Sequence, residues 1–591
     1  MRTWWVIVSL ACSAGPMSIA QSAAAADPPN VILVMTDDQG YGDFGVTGNP
    51  LIETPALDAM AARSVSFSTF YVSPVCSPTR ASLMTGRYNY RTRAIDTWLG
   101  RSMMDPAEVT LAELLQQAGY ATGIFGKWHL GDCYPMRPID QGFDESLVHR
   151  GGGLAQPSEP RDNQRRYTNP ILFHNGEPVQ TQGYCTDVYF QAAFRFLEDA
   201  AHDERPFFAY LAPNAPHDPF HDVPQELKRH YLQKDLARLM VHKPQGPALA
   251  DAIDKLAATA AMITNIDQNM QRLFVKLDEL KLTENTLVIF LVDNGPLTER
   301  YVGDMRGTKT TVYEGGIRSP LWMQWPARLT AGRTVPNVAA HIDIAPTIWE
   351  ACGVTPPAGL SLDGRSLLPL ALGSVDVTWP ERTIALQAHR GDQPCRYHQF
   401  AIRDNRWKLL HASGFSRESF GGPPQFELYD LLRDPAESRN LIAAEPEIAN
   451  RLRQAYDHWF DDVSATRPDN YAPPRIQVGT VHENPTCLTR QDWRSGSWAA
   501  ASVGKWLLHI TAPATFDVTV VFDAKDYDEQ LELLLGPTRE RAESQQTMVK
   551  AGATEAVFSG WQLPAGDVEL QAALTHATEV RGAYQVELLR K

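Results

Sequence analysis

The feature that most constrains the fold is a set of apolar runs without polar alternation. They are NVILVMT (30–36), ATGIFG (121–126), PFFAYLA (206–212) and NTLVIFLV (285–292). Runs rich in Val, Ile, Leu or Phe are typical of strands that are buried on both faces. Amphipathic stretches such as LAELLQQAG (111–119) and residues 251–280 lie between them. The pattern predicts an α/β domain over residues 27–370, with a large mixed, mostly parallel sheet flanked by helices.

The pattern changes after residue 370. FAIRDNRWKLLH (400–411) and FELYDLL (426–432) look like antiparallel strands, and residues 445–463 form an amphipathic helix pattern. Residues 371–465 are therefore predicted to form a small C-terminal subdomain with an antiparallel sheet.

A second change follows the Pro-rich stretch RPDNYAPPR (467–475). Beyond it, KWLLHIT, TFDVTVVF and AYQVELL alternate apolar and polar residues between turns. This alternation predicts that residues 466–591 comprise a linker and a separate accessory domain, an all-β sandwich.

The first 26 residues have the order of a secretory signal peptide. One Arg precedes the apolar run Trp4–Ala11, and small residues extend to Ala26. We expect the mature protein to be exported, to the periplasm or the medium. Lipoprotein anchoring at Cys12 is the alternative, and Ser9 stands where an aliphatic residue is preferred. No later run is apolar and long enough to predict a membrane span.

Charge and cysteine content narrow the class of protein. The formal net charge is −15 without a long basic run, which argues against a nucleic-acid partner. No C-x-x-C pair occurs, so a zinc ribbon or thioredoxin-like site is not indicated. Cleavage of the signal peptide would leave six scattered cysteines. In an oxidising compartment these could form three disulfides. If Cys76 has another chemical role, five cysteines remain and one of them must be unpaired.

Polar side chains follow each of the apolar runs. Asp37–Asp38 and Asp293–Asn294 follow two of them, Lys127 and His129 follow a third, and His217 follows the fourth. Ligands in open α/β sheets bind beyond the carboxyl ends of the strands. We therefore expect these side chains to converge at one edge of the sheet.

The acidic pairs suggest a metal site. Asp37, Asp38, Asp293 and Asn294 would make an all-oxygen cage, which suits a hard cation such as Ca²⁺ or Mg²⁺. The alternative is that both pairs are ordinary turns, which Asp and Asn favour. Their shared position at the ends of buried strands favours the metal.

Basic residues would complete an anion site. Lys127, His129 and Lys309 lie in Gly-flanked loops, where they could neutralise a metal-held oxyanion. Pro78 suits a first helical position, which predicts a short helix over TRASLMTGR (79–87) with Cys76 just before it. The helix start and Arg80 would add further donors for an anion with several oxygens.

At this point the sequence resembles the type I sulfatases of the alkaline phosphatase superfamily. Cys76-Ser77-Pro78-Thr79-Arg80 corresponds to the C-x-P-x-R signature of that family. Thr79 stands where many members have Ser, but the modification depends on Cys, Pro and Arg. The resemblance extends from Asn30 to about Asp430, and its further motifs are GRY (86–88), GKWHLG (126–131), DNG (293–295), GTKTTVYEGGIRSP (307–320) and HIDIAPTI (341–348).

The resemblance implies a sulfuric ester hydrolase that acts through a Cα-formylglycine made from Cys76 by a formylglycine-generating or equivalent maturase. The hydrated aldehyde attacks sulfur, and its second hydroxyl then expels sulfate. One Ca²⁺ would be held by Asp37, Asp38, Asp293, Asn294 and an oxygen of modified residue 76. The implied catalytic residues are Arg80 and Lys127 as stabilisers of the diol, His129 as the aid to elimination, and His217 and Lys309 as ligands of sulfate that protonate the leaving oxygen.

Two other functions remain open. A phosphonate or phosphate monoester hydrolase could use the same scaffold, although no second His/Asp ligand set for a two-metal phosphatase is evident. An inactive binder of sulfated glycans is the other alternative. Trp493, Trp498, Trp506 and Trp561 could stack on sugars, although packing in a sandwich core is the more ordinary role for them. The Arg and His residues of loops 88–104 and 147–167 suggest a sulfated carbohydrate substrate with further anionic groups.

Overall fold

The computed structural model describes residues 27–374, 379–465, 471–538 and 541–591, together with Met1 and Trp4. The predicted signal peptide, apart from these two residues, and the lipoprotein alternative at Cys12 thus lie outside the described residues. Among the residues that are described, no helix is long and apolar enough to cross a bilayer.

Strands and helices of the first 465 residues alternate along much of the chain. In chain order the strands are β1 Asn30–Thr36, β2 Val65–Phe67, β3 Phe70–Tyr71, β4 Ala121–Lys127, β5 Glu145–His149, β6 Ile171–His174, β7 Glu177–Gln180, β8 Phe207–Ala212, β9 Thr286–Val292, β10 Arg318–Ser319, β11 Leu321–Gln324, β12 Thr334–Val335, β13 Ala339–Ala340, β14 Ile384–Gln387, β15 Phe400–Arg403, β16 Trp407–His411 and β17 Glu427–Asp430. The helices are α1 Pro55–Arg63, α2 Cys76–Thr85, α3 Leu111–Gln117, α4 Cys185–His202, α5 Gln225–Tyr231, α6 Pro247–Glu279, α7 Glu314–Ile317, α8 Ile344–Ala351, α9 Leu368–Leu372 and α10 Pro446–Ser464.

A 10-stranded sheet with the order β12-β2-β11-β9-β1-β8-β4-β5-β6-β7 forms the centre of the molecule. The four predicted strands are β1, β4, β8 and β9, which lie side by side and pair in parallel. Antiparallel pairs occur toward both edges, where β11 joins β9 and β6 joins β5. The predicted fold class is confirmed, and the central strands point the same way because each is reached through a helical crossover.

Helices cover both faces of this sheet. Along β1, the side chains of Val31, Leu33 and Met35 enter one hydrophobic core, and those of Ile32 and Val34 enter the other. Helices α2, α3 and α8 contribute to the first core, and α1, α4 and α6 to the second. Successive side chains of a strand point to opposite faces, so a strand between two helical layers must be apolar throughout.

The helix that carries the signature motif differs from the prediction. It begins at Cys76 with Val75 as N-cap, so Cys76 is the first helical residue and does not lie before the helix. Pro78 is accordingly the third helical residue, and Arg87 lies beyond Thr85, the last one. Proline is tolerated throughout a first turn because N–H groups there have no intrahelical partner.

Strands β14 to β17 and helix α10 form a smaller layer. Strands β14, β15, β16 and β17 form a 4-stranded antiparallel sheet in that order. Helix α10 packs on it through the apolar face that contains Leu452, Tyr456, Phe460 and Val463. The predicted antiparallel sheet and closing helix are both present.

Two further sheets form a sandwich after residue 471. Their strands are β18 Ile476–Val478, β19 Thr486–Thr489, β20 Trp506–Ile510, β21 Ala514–Val521, β22 Glu529–Gly536, β23 Glu543–Val549, β24 Glu555–Leu563, β25 Gly566–His576, β26 Glu579–Gly582 and β27 Gln585–Arg590. One sheet has the order β18-β20-β25-β22-β23 with β26 beside β25, and the other β19-β27-β21-β24. The domain boundaries at residues 370 and 465 stay predictions.

The sandwich packs directly against the α/β region. Its core cluster includes Leu99, Met103, Cys133 and Met136, which precede it by hundreds of residues in the chain. The inner face of the sandwich thus extends past its own strands onto loops of the neighbouring sheet, and the two units share an apolar contact. That residues 466–591 comprise a linker and a separate accessory domain stays a prediction.

The tryptophans and cysteines have structural surroundings. Trp493, Trp506 and Trp561 are buried in the sandwich core, and Trp498 is half-buried, its ring 5.4 Å from that of Trp98. The core interpretation therefore holds for three of the four tryptophans considered as sugar platforms. Cysteine pairing differs from the disulfide alternative, since the described cysteines are free thiols: Cys76, Cys133, Cys185, Cys352, Cys395 and Cys487.

Candidate active site

The acidic residues meet where β1 and β9 end. Thr36 and Val292 are paired in the parallel ladder, so Asp37 and Asp293 leave neighbouring strands side by side. The Asp38 N–H donates to Asp293 Oδ1 at 3.2 Å, and Asn294 Nδ2 donates to Asp38 Oδ1 at 2.8 Å. The predicted set of acidic and amide residues is thus one buried cluster.

Two lysines neutralise part of this cluster. Lys127 Nζ lies 2.6 Å from Asp37 Oδ2, and Lys309 Nζ lies 2.5 Å from Asp38 Oδ1. Burial alone would raise the pKa of Asp37, but Lys127 and further cations lower it far below its usual range. Burial and the neighbouring Asp37 raise the pKa of Asp293 to about 7. The carboxylates are therefore crowded enough for their mutual repulsion to need more positive charge.

Both the Asp37–Asp38 pair and the Asp293–Asn294 pair have a side-chain oxygen that accepts no hydrogen bond. Asp37 Oδ1, Asp38 Oδ2 and Asn294 Oδ1 are buried and accept no hydrogen bond. Ligand atoms of Asp37, Asp293 and Cys76 all lie within 4.8 Å of one another. Buried acceptors of this kind require a donor or a cation. Apart from the Cys76 sulfur, the donor set consists of hard carboxylate and amide oxygens, which fit a divalent cation such as Ca²⁺.

Helix α2 places Cys76 and Arg80 one turn apart against this cage. Arg80 donates from one terminal nitrogen to Asp293 Oδ2 at 2.9 Å and from the other to the Lys127 carbonyl at 2.8 Å. The Cys76 side chain is only 3% exposed. Burial raises the pKa of its thiol, although Lys127 and Lys309 act to lower it. A thiol that holds its proton is a poor nucleophile, which disfavours plain thiolate chemistry here.

Thr79 joins the helix to the strand-end loop. Its hydroxyl donates to the Asp293 carbonyl at 2.7 Å and accepts from the Ser73 N–H at 3.0 Å. Sequence reasoning treated Thr79 as a minor departure from a motif. In the structure it orients both the start of α2 and the backbone of a predicted metal ligand.

His129 follows β4 with a backbone φ of 60°. Its Nε2 lies 2.8 Å from the Thr97 carbonyl, so this nitrogen carries the proton, and the buried Nδ1 has no partner. Burial and then Lys127 hold the pKa of His129 well below its usual range. The imidazole is thus neutral and has a free lone pair on Nδ1, as a proton acceptor needs.

His217 has the opposite electrostatic surroundings. Its Nδ1 lies 2.9 Å from Asp218 Oδ1, and its Nε2 lies 3.8 Å from Asp38 Oδ2. Burial alone would lower the pKa of His217, but the Asp38 and Asp37 carboxylates more than offset this and raise it. Two histidines whose pKa values are shifted in opposite directions can divide acid and base roles between them.

A glycine-rich loop covers the two histidines. A Cβ atom added to Gly152 would lie 2.7 Å from His129 Cε1, and one added to Gly153 would lie 3.2 Å from His217 Cε1. The Gly151 N–H donates to Asp132 Oδ1 at 3.0 Å, which ties the loop to the segment after His129. Only glycine allows this backbone to lie so close to both rings.

Sequence reasoning missed several residues around the site. Arg300 donates from Nε to Asp43 at 2.8 Å and from a terminal nitrogen to the Asp38 carbonyl at 3.0 Å, and thereby supports the Asp38 backbone. His149 is buried beside Tyr189, which lies 3.0 Å from its Nδ1. Gln491 belongs to the sandwich, and its Nε2 donates to the Thr97 carbonyl and lies 3.4 Å from His129 Nε2. No local pattern identifies Arg300 or Gln491, because they reach the site through packing, whereas His149 ends β5 beside Lys127 of β4.

The comparisons with known proteins agree with this geometry. Residues 29–354 match the family described as Sulfatase, and residues 307–459 match N-sulphoglucosamine sulphohydrolase, C-terminal. Arylsulfatase A of Homo sapiens is 32% identical over 485 residues, covering 74% of this chain and 89% of the relative. N-acetylgalactosamine-6-sulfatase of Canis lupus familiaris is 32% identical over 399 residues, covering 63% of this chain and 70% of the relative.

Solved structures show the same fold. The crystal structure of Ps i-CgsB superposes with a TM-score of 0.62 at 28% identity, covering 73% of this chain and 92% of that one. The phosphonate monoester hydrolase of Agrobacterium radiobacter has a TM-score of 0.53 at 21% identity, covering 74% and 95%, a likeness of fold alone.

The mixed sheet and the charged cluster at its carboxyl edge, together with these likenesses, define a hydrolase of the alkaline phosphatase superfamily. Within it, the chain belongs to the sulfatase family, as a type I sulfatase, and is a sulfuric ester hydrolase.

Proposed function

We propose that the protein hydrolyses the sulfate monoester of a sulfated carbohydrate, with formylglycine at position 76 and one Ca²⁺. The observation that carries the proposal is the position of Cys76. It begins α2, and its Sγ is within 4.8 Å of ligand oxygens of Asp37 and Asp293. Lys127 and Lys309 are bound to the same acidic cluster.

Asp37, Asp38, Asp293 and Asn294 would hold the cation, with an oxygen of modified residue 76. The unpartnered oxygens of three of these residues support the assignment. A bound Ca²⁺ would supply positive charge that stabilises the anionic oxygens of the sulfate group. Among the described residues, the groups that could hold a metal all include Asp37, which favours one metal over a two-metal phosphatase site.

The proposed modification of Cys76 requires a maturase that oxidises the thiol to an aldehyde. The hydrated aldehyde supplies a hydroxyl that attacks sulfur and a second hydroxyl whose deprotonation allows sulfate to be released. Arg80 and Lys127 would hold the charge that develops on residue 76, since both cations are fixed by buried contacts.

The remaining residues would move protons and bind sulfate. His129 would accept a proton at Nδ1, which has no other partner. His217 would donate its proton to the leaving oxygen, and the neighbouring carboxylates favour its protonated form. Lys309 would bind a sulfate oxygen. Burial alone would lower its pKa, but Asp38 raises it, so the charge is retained.

A carbohydrate leaving group is supported from two directions. The relatives include N-acetylgalactosamine-6-sulfatase, and Ps i-CgsB is known in complex with k-i-k-neocarrahexaose. Asp96 and Trp98 belong to loop 88–104, and Arg390 binds Asp96 at 2.6 Å and lies 4.3 Å from the ring centre of Trp98. Such a pairing of guanidinium and indole suits a polar ring with anionic substituents. The extracytoplasmic location expected from the sequence would give access to such polymers.

The test begins with mass spectrometry of the tryptic peptide Ser64–Arg80. We expect a mass below that of the cysteine peptide and trapping by a carbonyl reagent. Cys76→Ala should abolish sulfate release from an aryl sulfate, whereas Cys133→Ala, which changes a buried thiol away from the cage, should retain it. An active enzyme whose Cys76 is an unmodified thiol would contradict the mechanism. Faster turnover of an aryl phosphonate than of the aryl sulfate would instead favour the phosphonate hydrolase.

A further inference from the structure

The β-sandwich contributes a side chain to the surroundings of a proposed catalytic histidine. Gln491 lies between β19 and β20 and is 1% exposed. Its Nε2 donates to the Thr97 carbonyl at 3.1 Å and to Ser102 Oγ at 3.4 Å. The same nitrogen lies 3.4 Å from His129 Nε2. This residue lies outside residues 29–354 and 307–459, which match the sulfatase families.

Gln491 and His129 share one acceptor. His129 Nε2 donates to the Thr97 carbonyl at 2.8 Å, and Gln491 donates to the same oxygen. The position of that carbonyl determines which imidazole nitrogen carries the proton, and therefore that Nδ1 has a free lone pair. Gln491 also binds the loop of Thr97 through its backbone, because its carbonyl accepts from the Gly100 N–H at 2.8 Å.

The amide suits this place because it is neutral and fills the space beside the ring. A carboxylate in its position would favour the imidazolium form, and a smaller side chain would admit water. The charged groups that influence the pKa of His129 include Lys127, Arg80 and Asp37. Gln491 thus lies beside His129 Nε2 without adding charge.

We propose that Gln491 is a positioning residue for sulfate ester hydrolysis: it holds the Thr97 carbonyl and thereby the tautomer and orientation of His129, so the β-sandwich is part of the active site. The inference rests on the proposed function of His129 as the proton acceptor. It gives the sandwich a task in the reaction that does not require sugar binding.

A purely structural role in docking the sandwich is the competing explanation, and Arg494 offers a matched control. Arg494 donates to the Gly100 carbonyl at 3.1 Å and also binds Asp392, so it docks the same segment onto the same loop. It makes no hydrogen bond to Thr97 or His129 among the described contacts. Its replacement should therefore affect docking without affecting the imidazole.

The experiment compares full-length Gln491→Ala, Gln491→Glu and Arg494→Ala with wild type on a small aryl sulfate over a range of pH. We expect Gln491→Ala to lower kcat at least tenfold with little change in KM. The acidic limb of kcat should move to higher pH in Gln491→Ala, and further in Gln491→Glu, because both changes favour the protonated imidazole. Arg494→Ala should lower Tm and leave that limb in place.

The outcomes separate the two proposals. If wild-type protein does not hydrolyse the aryl sulfate, the proposed function fails. If wild type is active and Gln491→Glu, which preserves side-chain size, keeps the wild-type acidic limb, the role of Gln491 is overturned even if Gln491→Ala does not fold. A shift of equal size in Arg494→Ala would also overturn it, because docking alone would then account for the effect.

Discussion

Asp38 contacts several residues of the candidate site through both its side chain and its backbone. Its φ of 61° is in the left-handed region, which a non-glycine residue adopts only when its surroundings hold it there. Lys309 and Asn294 bind its side chain, and Arg300 binds its carbonyl. A strained backbone held by three partners leaves Asp38 Oδ2 free for a cation.

At the residue scale, the unpartnered oxygen of Asn294 predicts a calcium-dependent stability. Ca²⁺ added to chelator-treated protein should raise Tm, because a ligand at roughly 100 times its Kd stabilises the folded state by about 2.7 kcal/mol. Asn294→Ala should reduce this shift because it removes one ligand oxygen. Thermal unfolding with and without Ca²⁺ measures it.

Asn265→Ala is the matched control for this prediction. Asn265 Oδ1 is also buried without a partner, but the residue lies in α6 and binds Asp187. Its variant should keep the full calcium shift. A wild-type protein whose Tm does not respond to Ca²⁺, or an undiminished response in Asn294→Ala, would contradict the assignment.

At the scale of elements, helix α2 shows how far local sequence information extends. The motif predicts a short helix next to the acidic residues, and the structure contains it, but the helix begins at Cys76, which the prediction placed before it. The N-cap residue, Val75, is apolar and gives no strong local signal for the start of a helix. The position is instead defined by contacts of Thr79 with Ser73 and Asp293, which are tertiary.

These contacts predict different effects for two replacements of Thr79. Thr79→Val keeps the shape but leaves the buried Ser73 N–H without an acceptor, so it should lower the free energy of unfolding by about 1–3 kcal/mol. Thr79→Ser keeps the hydroxyl and should cost less. Denaturant unfolding of both variants measures the difference; a loss in Thr79→Ser as large as that in Thr79→Val would contradict the prediction.

At the scale of the whole molecule, buried carboxyl groups collect where the sandwich meets the α/β region. Asp132 and Glu159 belong to loops of the α/β region, and Asp492 belongs to the sandwich; all three are buried. Burial, followed by the neighbouring Asp132, raises the pKa of Asp492 well above its usual value. Burial likewise raises the pKa of Asp132 and of Glu159.

This cluster predicts that stability falls as pH rises. The pKa of each carboxyl is higher in the folded state than in the unfolded state, so folding favours the protonated form. The stabilisation is complete below the unfolded pKa, near 4, and is lost as pH rises toward the folded pKa. Tm should therefore be lower at pH 8 than at pH 5.

Asp492→Asn should remove part of this dependence, because an amide has no proton to lose. We expect its Tm to exceed that of wild type at pH 8 and the difference to shrink at pH 5. Asp526→Asn, at an exposed position of the same sandwich, serves as the control. A pH dependence that is identical in wild type and Asp492→Asn would show that the cluster does not govern it.

The sequence by itself determined the central strands, the closing helix of the subdomain and the alternating strands of the sandwich. The reason is that the number of buried faces of an element determines the spacing of its apolar residues along the chain. It also placed Asp37, Lys127, His217 and Asp293 at strand ends, where a parallel sheet must bring them together. Only the tertiary structure decided which oxygens stay unpartnered, which nitrogen of His129 carries the proton, and that Gln491 lies beside it. The physical reason is sequence distance: Gln491 is 362 residues from His129, and packing alone joins them.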